Sequence, residues 1–167
     1  MGFQRTKGTG LMIDNTIKDQ LLKHLKGGEA FMSIDELLEK ISFKSIGDRP
    51  VGLPYSFYEI FYHIRFAQRD ILDFCISENY ILPNWPADYW PLENTATSKK
   101  EWKELKENFI SERIALSNFI EREDVDLLAV AKHGEKQSIL RELMLVIEHN
   151  AYHTGQLALI LRLLGLH

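Results

Sequence analysis

Residues 138–165 read SILRELMLVIEHNAYHTGQLALILRLLG, an apolar run far longer than a strand. Leu145, Val146, Leu157 and Ile160 fall on one stripe at helical spacing. In the middle of that stripe stand His149 and His153. Residues four apart on a helix are offset by about 40° around the axis and about 6 Å along it. The two imidazoles therefore project side by side, toward the core. Each buried neutral ring must satisfy two nitrogens, which is costly where partners are missing. Two readings follow: ordinary core histidines with hydrogen-bond partners, or half of a metal site in need of a third ligand.

Working outward, four more segments read as helical and none as strand. The first spans about Asn15 to Lys26 and stops at Gly27-Gly28. A short amphipathic piece opens at Ser33, with Glu36 three residues later as in a capping box. The segment SFYEIFYHIRFAQRDILDFCISE opens on a second box, Ser56 and Glu59. It places Phe57, Ile60, Ile64, Ala67, Ile71 and Phe74 at helical spacing. Pro83, Pro86 and Pro91 prevent NYILPNWPADYWPLENTATS from continuing it. A fourth helix starts at the Ser98/Glu101 box and runs to about Glu121. Four long helices and one short one predict an all-α chain, an antiparallel four-helix bundle with one additional short helix. Residues 1–167 read as one domain, with about residues 1–10 as a flexible lead.

Bulk composition narrows the function classes. The chain has 167 residues, enough for one core without staples. A net charge of −4 supplies no basic stripe for phosphate backbones, so no nucleic-acid partner is expected. The longest apolar run, LALILRLLGL, is short and contains Arg162, so no membrane span is expected. Cys75 is the one cysteine, which points to a reducing, cytoplasmic setting. MGFQRT at residues 1–6 fits a short lipidation pattern that recurs by chance, and no secretory leader is visible.

A catalytic metal usually takes three protein ligands and keeps a position for water or substrate. The candidates for the third are His24, His63, His133 and His167. His63 lies mid-helix beside Ile60 and Ala67. His24 ends a Lys-flanked helix, His133 is in a polar loop, and His167 is the last residue. The residues favour His63, His149 and His153, alongside the plain core reading. The zinc-protease pattern H-E-x-x-H is absent, since Asn150 stands where its glutamate would be.

His63 in the second long helix, the connection with YWP at residues 89–91, and HNAYHTGQL at residues 149–157 together resemble the DinB/YfiT-like superfamily. The resemblance runs from about Leu11 to Gly165. Its most specific part is H-x-x-x-H-x-G-Q, here His149, His153, Gly155 and Gln156; PYSFYEIFYHI at residues 54–64 matches the family's capped helix with a histidine two turns on. It implies a four-helix bundle in which His63, His149 and His153 hold a divalent ion: nickel, zinc, iron or manganese. It also implies chemistry like that of low-molecular-weight-thiol S-transferases or a thiol-dependent isomerase.

Neighbouring residues carry paired readings. Gly155 either admits a neighbouring helix or is a tolerated weak spot. Gln156 either orients a ligand or a bound water, or bonds to a backbone carbonyl. Glu59 is explained by its capping box before any role beside the metal, while Asp70 is a candidate general base. Tyr152 offers a hydroxyl or simply packs. Trp85, Tyr89 and Trp90 form an apolar lid or close one end of the core. Cys75, roughly 120° around the helix from His63, reads as core.

The expected function is a metal-dependent transferase of a small thiol to an electrophilic substrate. A metal-dependent hydrolase and a non-catalytic metal- or ligand-binding stress-response module are the alternatives, with a metal-free interaction domain behind them. LALILRLLGL is apolar around more of its circumference than one core face needs, which predicts a homodimer.

Overall fold

A computed structural model describes residues 7–167, with side chains from Asn15 onward. Most of the expected flexible lead, and the lipidation pattern, fall on residues 1–6, outside the described residues. The described chain is helical: α1 (Lys7–Lys26), α2 (Ile34–Lys40), α3 (Phe57–Ile76), α4 (Lys99–Glu121) and α5 (Ile139–Leu163). A single 3-10 turn, Ala87–Tyr89, interrupts the connection after α3, and Val130 and Ser138 form an isolated antiparallel bridge. Among the described residues no helix is long and apolar enough to cross a membrane.

The starts of the helices follow from their caps. Ser33 and Ser56 each accept from the backbone N–H three residues on, while Glu36 and Glu59 reach back to the cap backbone. The third box is only half made. Ser98 accepts from Glu101 N, but the Glu101 carboxylate bonds Thr97 N at 2.7 Å and the Tyr58 hydroxyl at 2.9 Å. Helix α1 begins at Lys7 rather than near Asn15. Gly8 and Gly10 each weaken helix propensity by about 1 kcal/mol, which placed the expected start too late.

Helix α3 packs against α4 and α5, and α1 packs against the same two helices from elsewhere, while α2 lies on α5. Two apolar clusters fill the interior. One joins Phe57, Ile60, Phe61 and Ile64 of α3 to Phe109, Leu157, Ile160 and Leu161, with Leu37 and Ile46 beneath. The other joins Ile71, Leu72 and Cys75 to Leu21, Leu116, Ile120, Leu143 and Val146. Phe61 meets Trp102 and Phe109 edge-on, at centroid distances of 5.4 and 5.3 Å. Full burial of side chains of this size stabilises the fold by about 1.5–3 kcal/mol each. Along α3, His63 stands within the first cluster, between Phe61 and Ile64; along α5, His149 and His153 fall between Val146 of the second cluster and Leu157 of the first. The two α5 histidines thus sit where one cluster gives way to the other.

Candidate metal centre

Ser56 sets the phase of α3, and His63 comes two turns later with 3% of its surface exposed. On α5, Ser138 accepts from Arg141 N and starts the helix that carries His149 and His153. Packing of α3 on α5 brings the three rings together. Centroid distances are 4.8 Å for His63 to His149, 4.6 Å for His63 to His153, and 4.4 Å for His149 to His153. One nitrogen from each ring lies within 4.8 Å of the others, and these three could hold a metal ion.

The remaining nitrogens are held by partners that choose the tautomer. His63 Nδ1 is 3.2 Å from the Tyr89 carbonyl, which can only accept, so Nδ1 carries the proton. His153 Nδ1 stands 2.6 Å from Gln156 Oε1, again an acceptor. Both rings therefore turn an Nε2 lone pair to the cluster, the arrangement that ligating histidines adopt. His149 Nε2 lies 3.0 Å from His63 Nε2. Both nitrogens would be available to one ion, which that set of three histidines could hold.

Electrostatics favour the same state. Burial, then the neighbouring His153, pushes His63 down to about 4. Burial and both neighbours push His149 down to about 3. His153 is lowered by burial against the opposing bond to Gln156. All three are neutral at pH 7, the form that ligates. No carboxylate joins them among the described residues.

Aromatic residues of the connections cover His63. Trp90 stacks on it with centroids 4.2 Å apart and planes 1° from parallel, and Tyr55 stacks on Trp90 at 4.6 Å. Trp85 is 71% exposed and only tilts toward His63. An apolar cavity of about 190 Å³ opens next door, between Leu53, Pro54 and Tyr55 on one side and Gln156, Leu159 and Ile160 on the other.

Other candidates separate from the cluster. Glu59 is occupied by its cap and by Arg49, at 2.9 and 2.5 Å. Asp70 accepts from the hydroxyls of Tyr80 and Tyr89 rather than facing the three histidines. Tyr152 is 67% exposed and packs edge-on against His153. A Cβ on Gly155 would meet nothing within 4 Å, so no close helix approach requires that glycine. His24 is exposed in the last turn of α1, and His133 Nε2 is tied to Ser77 O at 2.8 Å. Sequence reasoning missed the Tyr89 carbonyl and the Tyr55 ring. Neither leaves a residue-type signal: one is main chain, and the other reaches the site only through Trp90.

A family model for the DinB superfamily matches residues 29–157, a span that includes His63, His149, His153 and Gln156. The chain belongs to the DinB superfamily. DinB-like proteins bind metal, and the three-histidine cluster of this DinB protein is compatible with that property. No curated protein and no solved structure matches the chain.

Proposed function

We propose that this DinB-superfamily protein binds a divalent ion through His63, His149 and His153 and transfers a small thiol to an electrophile. The observation that carries the reading is the convergence of three neutral imidazoles, two buried and one half-buried, with the Nδ1 of His63 and of His153 held by an acceptor. When bound, the ion supplies Lewis acidity and lowers the pKa of a coordinated thiol. The chain does the rest. Tyr89 and Gln156 hold the ligand rings, and the Trp90–Tyr55 stack keeps water from one face of His63. The cavity beside Gln156 receives the apolar part of the electrophile. In the transfer the sulfur forms a bond to the electrophilic atom, the leaving group departs with its electron pair, and the thiol proton passes to solvent. Hydrolysis fits less well, because Asp70, its expected general base, is engaged by two phenols.

The same reading includes an antiparallel four-helix bundle. Support comes from the mutual packing of the four long helices and from the order of the clusters. Early α3 residues meet late α5 residues, and late α3 residues meet early α5 residues. A homodimer through α5 is proposed from Met144, Leu159 and Leu163, which are 57%, 45% and 53% exposed. Light scattering that returns only a monomer at high concentration counts against it.

Elemental analysis of metal per chain tests the centre, on wild type, His63→Ala and His149→Ala. Near-stoichiometric metal in wild type and its loss in both variants supports the site, and a thiol-transfer screen with model electrophiles then tests the reaction. A wild type that takes up no nickel, zinc, iron or manganese removes the proposal.

A further inference from the structure

Three residues of α3, His63, Phe66 and Asp70, follow at spacings of three and four and so line one stripe. Tyr89 lies along all three. Its carbonyl is 3.2 Å from His63 Nδ1, its ring is 4.8 Å from that of Phe66, and its hydroxyl donates to Asp70 Oδ2. One residue is thus fastened to the helix at both ends, main chain over the histidine and side chain over the aspartate. The turn that presents it is internally tied. Tyr89 N donates to Pro86 O at 3.1 Å, Asp88 N to Asn84 O at 3.0 Å, and Asn84 N to Asp88 Oδ2 at 2.8 Å.

Asp70 is available for this because its basic neighbours are engaged. Arg65 pairs with Glu112, and Arg69 pairs with Asp73 at 2.5 Å. The carboxylate takes two phenols, Tyr80 at 2.8 Å and Tyr89. Hydrogen bonds to an ionised acceptor are stronger than neutral ones, so the anchor is firm although it sits on a connecting segment.

We propose that Asp70 and Tyr89 are positioning residues for His63: the carboxylate pins the Tyr89 hydroxyl, and the Tyr89 carbonyl thereby keeps His63 protonated at Nδ1 with Nε2 facing the other two histidines. This rests on the metal-centre reading for its consequence, but the tautomer of His63 is a property of the metal-free chain. Free imidazole exchanges its tautomers readily, so an acceptor fixed at Nδ1 selects one of them. Asp70 then has a role other than general base. It acts two turns from the ligand, through a residue brought in from another segment.

The test compares wild type with Asp70→Ala, Asp70→Asn, Tyr89→Phe and Tyr80→Phe. Zinc affinity is measured by competition with a chromophoric chelator, and the His63 tautomer by long-range proton–nitrogen NMR of metal-free protein. Tyr80→Phe is the control: it removes a phenol from the same carboxylate but leaves the path to His63 intact. Tyr89→Phe and Asp70→Ala are expected to weaken zinc about tenfold, Tyr80→Phe by less than about twofold, with Asp70→Asn in between. The first two also lower the share of His63 protonated at Nδ1. Wild-type affinity and tautomer in Tyr89→Phe and Asp70→Ala overturn the proposal, as does an equal loss in Tyr80→Phe, which would mean general loosening. Should wild type bind neither zinc nor nickel, iron or manganese, the metal reading fails by itself. The tautomer shift, present or absent, then decides the positioning role.

Discussion

Gln156 Oε1 accepts from His153 Nδ1 at 2.6 Å, one turn further along the same helix. The bond leaves His153 Nε2 as the nitrogen facing His63 and His149. Gln156→Leu removes the acceptor with little change in volume. Zinc or nickel affinity is expected to fall about tenfold, within the range for partners of ligating histidines. Gln156→Glu keeps an acceptor and retains most of it. Competition titration with a chelator gives both values.

Acid exposes the cost of burying the imidazoles. His63 and His149 titrate at about 4 and 3 in the folded chain, against 6.5 ordinarily. The unfolded state therefore binds more protons in the interval between, and stability rises with pH across it. Metal-free protein is expected to hold its full stability above 6.5 and to lose it as pH falls toward 4. Urea denaturation at pH 7 and pH 5 measures the loss. A His63→Gln/His149→Gln variant should lose less over the same interval, which separates the histidine contribution from that of the carboxylates.

Cys75 is 4% exposed, and burial, with Glu142 nearby, pushes its thiol up to about 12 from an ordinary 9.0. Only the thiolate reacts, so the native chain should be on the order of a thousandfold slower than the unfolded chain toward an aromatic disulfide reagent at pH 7. Cys75→Ala should leave thiol transfer unchanged. A rate lost with Cys75 would move the nucleophile from the coordinated thiol to the protein.

Helices α3 and α4 are joined by Arg65 and Glu112, with Arg65 Nε 3.0 Å from the carboxylate. Glu112 is 4% exposed, and burial raises its pKa even with the guanidinium beside it. Glu112→Ala strands a partly buried positive charge and is expected to destabilise by about 3 kcal/mol in urea denaturation. The double change Arg65→Met/Glu112→Leu should recover most of that, since an apolar pair of similar volume carries no desolvation cost.

How much was legible is clearest at particular residues. His63, His149 and His153 could be picked out because helical spacing puts each on an apolar stripe, and each stripe must face inward. Ser56 and Glu59 announced the start of α3 through local geometry that the fold keeps. Glu101 carried the same signal and does something else: its carboxylate turns to Thr97 and Tyr58, the latter contributed by another helix. Asp70 read as a candidate base because its phenolic partners lie 10 and 19 residues away in a connection without periodicity.

The sequence by itself therefore determined the all-helical class, the family, and which histidines face the core. Those follow from short-range periodicity, capping and a compact motif. Only the tertiary structure decided that the three rings meet, that the Tyr89 carbonyl and Gln156 stand at the Nδ1 atoms of His63 and His153, and that Asp70 accepts from two phenols. Those depend on the register of α3 against α5 and on where a proline-rich segment lands. Register is set by the summed packing of two cores, and a backbone carbonyl is the same in every residue, so neither leaves a mark on any single stretch of the chain.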